Sequence, residues 1–222
     1  MLPNKIADRI NVIITGATGV AGLGVLAACM KDSRIESIAT LTRNPLPLAD
    51  QRLNQIQHND FLDYSSVEDR LRNMDACFWC LGVSQAKVRK EADYSRITHD
   101  FTLEAARVLE RLNPGMTFCF LSGMGTDSSE KSRMMWARIK GRTENDLKNF
   151  NLKLFNFRPG FIYPVEGRSG PLLGKILYPF IRNSKKMFVR AEELGRAMIN
   201  VTLKGCDRHT LENPDIRRMA ES

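Results

Sequence analysis

The sequence has few of the features that mark membrane-spanning or secreted proteins. Its longest apolar stretch, residues 19–30, is about half the length that a membrane-spanning helix needs. Charged residues precede the first apolar run, so we expect no secretory signal. The chain has no internal repeat, and its 222 residues fit one folded domain. A hydrophobic content of 43% is enough for a core and excludes an intrinsically disordered chain.

Histidine and cysteine show no metal-binding pattern. The three histidines are scattered, and no second pair follows Cys77 and Cys80 at a spacing typical of zinc sites. On a strand, the i, i+3 spacing directs these two side chains to opposite faces. We therefore expect buried packing and no metal. The chain has five cysteines, an odd number, and at least three lie in hydrophobic runs. This pattern predicts reduced thiols and a cytoplasmic location.

Positive charge is the one excess in the composition, with a net charge of +8. Residues 1–110 carry 13 basic and 14 acidic side chains, whereas residues 111–222 carry 20 and 11. Basic proteins commonly bind nucleic acid, an anionic membrane surface or a phosphate-bearing ligand. Acidic residues lie on both sides of the basic run at 131–142, at Glu130, Glu144 and Asp146, and the run has one aromatic residue, so we do not expect nucleic acid as a partner. The basic cluster at 182–196 is the best candidate for contact with an anionic substrate or partner.

Short apolar runs alternate with longer helical patterns. The β-rich runs predict strands at 10–15, 35–42, 76–81, 117–122 and 152–157. Helical patterns follow, with clear examples at 98–112 and 132–150. This alternation predicts an α/β fold, in which a doubly wound parallel sheet is covered by helices on both faces.

We expect a single domain over residues 1–222, with residues 164–190 as a small C-terminal substrate or lid lobe. An amphipathic stripe at 172–181 belongs to this lobe. Packing on the sheet or over a substrate pocket is one interpretation of the stripe, and contact with a membrane surface or a partner is the other. No transmembrane segment is predicted.

The most informative segment is a glycine-rich turn between the first predicted strand and the first predicted helix. It reads Gly16-Ala17-Thr18-Gly19-Val20-Ala21-Gly22. Gly16 permits a tight turn, and Gly19 lets the backbone approach a pyrophosphate at the helix start. Gly22 allows the helix to pack closely on the sheet, and the Thr18 hydroxyl adds a polar group near the phosphates. The segment predicts a Rossmann-like dinucleotide site.

The residue after the second strand indicates which dinucleotide is bound. An NAD site usually has an acid there for the ribose hydroxyls, and an NADP site has a basic residue for the 2′-phosphate. Here Arg43 follows the strand, and its forked guanidinium suits a phosphate monoester. A solvated loop arginine is the alternative interpretation. The sequence therefore predicts a preference for NADP(H) over NAD(H).

A series of short motifs follows the glycine turn in order. They are Asp60-Phe61, Cys80-Leu81-Gly82, Leu121-Ser122, Lys140-Gly141, Arg158-Pro159-Gly160 and Leu211-Glu-Asn-Pro-Asp-Ile216. Through them nearly the whole chain resembles the atypical short-chain dehydrogenase/reductases, and within that family the Tat-interacting-protein-like branch, which is related to NAD-dependent epimerase/dehydratases. The resemblance implies that Asp60 and Phe61 contact the adenine and that Leu81 and Gly82 lie against the cofactor ribose.

The same resemblance implies the catalytic roles. Ser122 matches the family serine that hydrogen-bonds a substrate carbonyl or hydroxyl. Lys140 matches the lysine that binds the nicotinamide ribose and lowers the pKa of a tyrosine, and Pro159 and Gly160 match the stretch beside the nicotinamide. The family tyrosine stands four residues before the lysine, on the same helix face. Trp136 occupies that position here, and an indole cannot exchange a proton near neutral pH.

Three residues are candidates to replace the missing phenol. Tyr163 follows the last predicted strand, and Tyr94 and His99 flank the start of the helix at 98–112. We include Tyr163 with Ser122 and Lys140 in the predicted catalytic set. The predicted function is an NADP(H)-dependent oxidoreductase or epimerase that acts on a small carbonyl or hydroxyl compound. The alternative is a non-catalytic module that senses NADP(H) and acts through a protein partner. Whether the chain forms a homodimer or binds a different protein is left open by the sequence.

Overall fold

A computed structural model describes residues 9–88, 90–165 and 187–222. The strands in these residues are β1 (Ile10–Thr15), β2 (Ile35–Thr42), β3 (Leu53–Gln57), β4 (Ala76–Trp79), β5 (Thr117–Leu121), β6 (Lys153–Arg158), β7 (Phe161–Tyr163), β8 (Phe188–Arg190) and β9 (Thr210–Glu212). Seven of them form one sheet in the order β3-β2-β1-β4-β5-β6-β9, and every neighbouring pair is parallel. Strands β7 and β8 pair in parallel as a separate sheet.

The helices cover both faces of the large sheet. They are α1 (Val20–Lys31), α2 (Glu91–Ser95), α3 (Phe101–Leu112), α4 (Met135–Leu147), α5 (Ala191–Lys204) and α6 (Asn213–Glu221). Buried residues of α1, α5 and α6 form the core on one face, and those of α3 and α4 contribute to the core on the other. This is a doubly wound, Rossmann-like α/β/α architecture, so the predicted fold class is confirmed.

The position of the site follows from the strand order. From β1 the chain builds the sheet in one direction through β2 and β3, and then in the other through β4, β5 and β6. The carboxyl ends of β1 and β4 therefore border the crevice in which ligands of such sheets bind. A hydrogen bond joins these two ends, because the Leu81 N–H donates to Thr15 Oγ1 at 3.1 Å. This bond lies beyond Trp79, where β4 ends two residues before its predicted limit.

The two cysteines of the C-x-x-C spacing face opposite sides of the sheet, as predicted. Cys77 belongs to the core cluster under α3, and Cys80 belongs to the cluster under α1 and α5. Both are buried, and burial raises the pKa of each thiol. In the part of the chain that the structure describes, no cluster of three or more His, Cys, Asp or Glu residues is arranged to hold a metal.

The predicted lobe at 164–190 lies mostly outside the described residues, as does the amphipathic stripe at 172–181. Of the basic cluster at 182–196, Arg190 and Arg196 are described, and they line two separate cavities. None of the described helices combines the length and apolar content that crossing a bilayer would require.

Candidate functional site

The glycine turn has the geometry that the sequence predicts, for steric reasons that are visible in the backbone. Gly16 has φ +65°, and a Cβ on it would lie 2.4 Å from the carbonyl oxygen of Cys80. A Cβ on Gly22 would lie 2.2 Å from the carbonyl oxygen of Gly16. Any larger residue at these two positions would separate β1, β4 and the first turn of α1. Both glycines are therefore required by the close approach of three backbone segments.

Helix α1 begins at this turn without a side-chain cap. Gly19 is its N-cap residue and has no side chain to cap the helix, and no acidic residue lies in the first turn. Thr18 and Gly19 are exposed, Val20 is half-buried, and Ala17 is buried in the core. The first N–H groups of a helix lack intrahelical partners and carry a partial positive charge. The turn therefore presents backbone donors to an anion at the crevice between β1 and β4.

The candidate adenosine residues lie at the ends of the neighbouring strands β2 and β3. Arg43 is exposed, and its guanidinium forms no ion pair or hydrogen bond with the residues that the structure describes. Asp60 is also exposed, and its Oδ1 accepts the Leu62 N–H at 3.0 Å. Phe61, in contrast, is buried, and its ring packs against Phe101 at 5.8 Å between centroids. Only the backbone of Phe61 is thus available to an adenine ring.

The end of β4 leaves room for a ligand. Leu81 is half-buried and is fixed by its bond to Thr15, and Gly82 is exposed. A Cβ built on Gly82 would meet no atom within 4 Å. Nothing in the described protein therefore requires glycine at this position, whereas a ribose lying against the backbone would. The steric demands at Gly16 and Gly22 and the open space at Gly82 fit a dinucleotide across these strand ends.

A cavity of about 680 Å³ opens beside Gly82, at the carboxyl ends of β4, β5 and β6. This volume is typical of small-molecule sites. The cavity is lined by Val83, Ser84, Gln85, Tyr94, Ser122, Gly123, Met124, Trp136, Lys140, Pro159, Gly160 and Phe161. The structure thus brings together Ser122, Lys140, Pro159 and Gly160, four of the residues that the sequence predicts for the catalytic and nicotinamide site.

Lys140 is held by the strand end that carries Ser122. Its Nζ donates to the carbonyl oxygens of Leu121 at 2.8 Å and Ser122 at 3.2 Å, and it lies 5.3 Å from the centre of the Phe120 ring. Burial lowers the pKa of Lys140 to about 8, and the negative charge of Glu144 opposes this shift. An ammonium has three donors, so the two carbonyl bonds leave one for a ligand hydroxyl.

Ser122 is buried, and its backbone N–H donates to the carbonyl oxygen of Phe157 at 2.8 Å. Its Oγ lies 2.9 Å from Thr126 Oγ1, and either hydroxyl can be the donor. This pairing holds the serine side chain in one position at the cavity wall. When the Thr126 hydroxyl is the donor in this pair, the Ser122 hydroxyl can donate its own proton to the oxygen of a bound carbonyl compound.

Trp136 lines the cavity one helical turn before Lys140, where the resembled family has its tyrosine. The indole lies against the loop after β5, 3.4 Å from the position that a Cβ on Gly125 would take. Tyr94, from α2, is a phenol that lines the same cavity, and burial raises its pKa. The face of α4 on which the resembled family has a phenol therefore carries an indole, and α2 contributes a phenol to the same cavity wall.

The other two candidates lie elsewhere. His99 is buried between the carboxylates of Asp100 and Asp146, each 2.8 Å from a ring nitrogen, and it does not line the cavity. Tyr163 packs against Phe188 with ring centroids 5.6 Å apart and planes tilted by 51°, and it lines a different cavity together with Arg190. The structure therefore does not bring Tyr163 to Ser122 and Lys140.

Sequence reasoning missed a buried ion pair beneath the site. Arg158 donates to Glu144 through Nε at 2.9 Å and through Nη2 at 2.5 Å, and side-chain exposure is 14% for the arginine and 3% for the glutamate. The pair fixes α4 to the end of β6. Glu144 is four residues after Lys140, so its position on the same helix face was the available signal.

Comparisons with known proteins support the fold, and the names of the relatives bear on the predicted cellular location. No family model matches the chain. "Protein FMP52, mitochondrial" of Candida glabrata is 26% identical over 221 residues, which is 95% of this chain and 92% of that protein. A solved structure of UDP-N-acetylglucosamine 4-epimerase from Methanobrevibacter ruminantium, in complex with UDP-N-acetylmuramic acid, matches with a TM-score of 0.67 and 16% identity, over 96% of this chain and 81% of that one. The enzyme MoeE5 in complex with UDP-glucose and NAD matches with a TM-score of 0.65 and 15% identity, over 95% and 80%.

The relatives contradict the predicted cytoplasmic location. Several proteins of this similarity, from Candida glabrata and three other fungi, carry the word mitochondrial in their names. The cytoplasmic prediction rested on reduced cysteines, and it was wrong because buried thiols indicate only that disulfides are not needed. Burial, with exposures of 8% or less for Cys29, Cys77, Cys80 and Cys119, accounts for four of the five thiols without reference to a compartment.

Proposed function

We propose that this protein binds NADP(H) and transfers a hydride to or from a small carbonyl or hydroxyl compound, as an atypical short-chain dehydrogenase/reductase of the Tat-interacting-protein-like branch. One observation carries the proposal. The cavity that contains Ser122 and Lys140 is lined by Val83, which follows Gly82 after the end of β4. The Leu81 N–H donates to Thr15 Oγ1, directly before the glycine turn, and β1 and β4 are the two strands at which the strand order reverses. The arrangement matches a dinucleotide site with a substrate space beside it.

The proposal assigns a role to each of the main groups at the site. The backbone N–H groups at the start of α1 bind the pyrophosphate, and the remaining donor of Lys140 binds a ribose hydroxyl. A bound NADPH supplies the hydride for carbonyl reduction. Ser122 donates a hydrogen bond to the substrate oxygen, and Tyr94 is the phenol that donates the proton. Tyr163 has no part in it.

Arg43 carries the proposed preference for the phosphorylated cofactor. It is exposed at the end of β2 and uses none of its guanidinium donors in a recorded bond to a described residue. A charge-assisted hydrogen bond contributes about 1.5–3 kcal/mol, so Arg43→Glu should weaken NADPH binding by about 10- to 100-fold and NADH binding far less. Lys153→Glu, the same charge reversal at the amino end of β6, is the matched control. Equal losses for both cofactors in a calorimetric titration would contradict the preference.

A second candidate function is favoured by Trp136. Without a phenol on α4 beside Lys140, the protein would bind NADP(H) as a sensor and act through a partner. The two functions are separated by incubating the protein with NADPH and a panel of aldehydes and ketones. Turnover supports the enzyme. Tight NADPH binding without turnover of any compound supports the sensor.

We also propose a mitochondrial location, in line with the names of the fungal relatives. Expression of the full chain with a C-terminal fluorescent tag, followed by co-localisation with a mitochondrial dye, tests this point. A diffuse cytosolic signal would contradict it.

A further inference from the structure

We propose that the substrate is a neutral carbonyl compound with an apolar alkyl or aryl body, and not a charged sugar or nucleotide sugar. The inference rests on the function proposed above. It deepens that function by naming the chemical class that the cavity beside Ser122 accepts.

The walls around Ser122 are the first argument. Val83, Trp136, Pro159 and Phe161 line the described part of the cavity, and they come from four different segments of the chain. An apolar substrate in the cavity would bury its surface against these four side chains. Burial of apolar surface is the main source of affinity for such a ligand.

The shortage of charge in the cavity is the second argument. Among its described lining residues, Lys140 is the one charged side chain, and its ammonium already donates to two backbone carbonyl oxygens. A pyrophosphate or a sugar carboxylate needs several cationic or backbone donors when it leaves water. The relatives in fold that were solved with UDP-sugars hold ligands of that anionic kind. The described walls of this cavity offer no guanidinium to such a group.

The exposed apolar side chains are the third argument. Five large hydrophobic residues are exposed in the described part of the chain, and Met124 and Phe161 among them line the cavity at 40% and 49% exposure. Met134 is two residues before Trp136, and Met187 accepts the Phe161 N–H through its carbonyl oxygen at 2.8 Å. Two of the five exposed residues thus line the cavity, and two more are neighbours of residues that line it. Methionine side chains adapt to apolar ligands of varied shape.

The test measures binding and does not depend on turnover. Butanone, 2-hexanone, 2-octanone and 2-decanone are titrated calorimetrically into the full chain, with saturating NADP⁺, which cannot reduce a ketone, and again without it. Affinity should rise about fourfold for each added methylene that the cavity buries. Glucuronate and UDP-glucose, titrated with NADP⁺ present, should bind at least 100-fold more weakly than 2-decanone.

Two variants connect the effect to this cavity. Phe161→Ser should reduce the affinity for 2-decanone at least tenfold and leave butanone unchanged. Leu62→Ser is the matched control, because Leu62 is the exposed large apolar residue outside this group and does not line the cavity. Phe161 is half exposed, so Phe161→Ser should not unfold the protein. If the variant does unfold, the titrations of the four ketones into the wild-type protein still test the inference.

The results distinguish this inference from the proposed function. No dependence on chain length, or tighter binding of glucuronate or UDP-glucose than of 2-decanone, would overturn the inference, even if NADPH binds and small carbonyl compounds are reduced. A clear dependence on chain length in a protein that does not bind NADPH would support the apolar cavity and reject the proposed function.

Discussion

Restoring the missing phenol is the most direct test of the chemistry of this site. The change is Trp136→Tyr, which places a phenol one helical turn before Lys140. Trp136 is half-buried, and its indole lies against the loop that contains Gly123 and Gly125. A tyrosine is smaller than a tryptophan, so it enters this space without displacing the loop. Trp136→Phe removes the same volume without adding a hydroxyl and is the matched control.

The size of the effect follows from the distance between the two side chains. Residues four apart on a helix have Cβ atoms about 5–6 Å from each other. Two charges about 6 Å apart interact by about 3 kcal/mol at an effective dielectric constant of 20, which lowers the pKa of a phenol by about two units. A positioned acid or base contributes about 10²–10⁴-fold to a rate. Trp136→Tyr should therefore reduce ketones at least about 100-fold faster than Trp136→Phe.

The assay follows the absorbance of NADPH with 2-octanone as substrate and is repeated from pH 6 to pH 10. Because the pKa of Lys140 is lowered to about 8, its positive charge is lost above that pH and the gain should decline there. Equal rates for Trp136→Tyr and Trp136→Phe, with NADPH affinity and unfolding midpoints intact, would refute the reasoning. The missing tyrosine would then not limit the reaction.

Three further predictions concern neighbouring residues. Tyr94→Phe should lower ketone turnover at least tenfold in the wild-type background without changing NADPH affinity, and unchanged turnover would remove Tyr94 as proton donor. Glu144→Gln should cost about 1.5–3 kcal/mol in urea unfolding, because Arg158 loses its two short bonds to the buried carboxylate and, among the described residues, keeps only the half-exposed Glu212, 3.4 Å away, as an acidic partner. Glu91→Gln, at a surface pair, should cost less than about 1 kcal/mol. The free energy of unfolding of the wild type, compared with that of Lys140→Met, should rise with pH between about 8 and the ordinary lysine pKa of 10.5. In this range the lysine of the unfolded chain keeps a proton that the lysine of the folded chain has lost. A difference that does not change with pH would contradict the lowered pKa of Lys140.

The buried strands could be predicted from the sequence. Strands β1 and β2 begin and end where the apolar runs do, because central parallel strands are covered on both faces and appear as nearly continuous hydrophobic segments. Strand β3 lies at the edge of the sheet and has one buried residue among five. Without an apolar run, its sequence carries no comparable signal. The three-residue strands β7 and β8 depend on each other and leave no local pattern.

The residues that we propose for the cofactor could also be found from the sequence, because they follow strand ends directly and parallel strands all end at one edge. The strand order puts Gly82 and Ser122 at the edge that carries the glycine turn, and the family resemblance implies their roles. The residues around the proposed substrate cavity could not be grouped from the sequence. Tyr94, Trp136 and Phe161 meet in one cavity although they come from α2, α4 and β7, and no spacing in the sequence relates them. Tyr163, two residues beyond Phe161 on the same short strand, lines a different cavity.

The depth of Lys140 in this cavity is set by its neighbour in sequence. A Cβ on Gly141 would lie 1.8 Å from the carbonyl oxygen of Asp127, so α4 contacts the backbone of the loop after β5 directly. This contact brings the start of α4 against the strand end, where the ammonium of Lys140 reaches the carbonyl oxygens of Leu121 and Ser122. The Lys-Gly pair in the sequence thus combines the lysine that we propose as the ligand of a ribose hydroxyl with the glycine that allows the close packing around it. The same loop lies against the indole of Trp136, and burial of the ammonium lowers the pKa of Lys140.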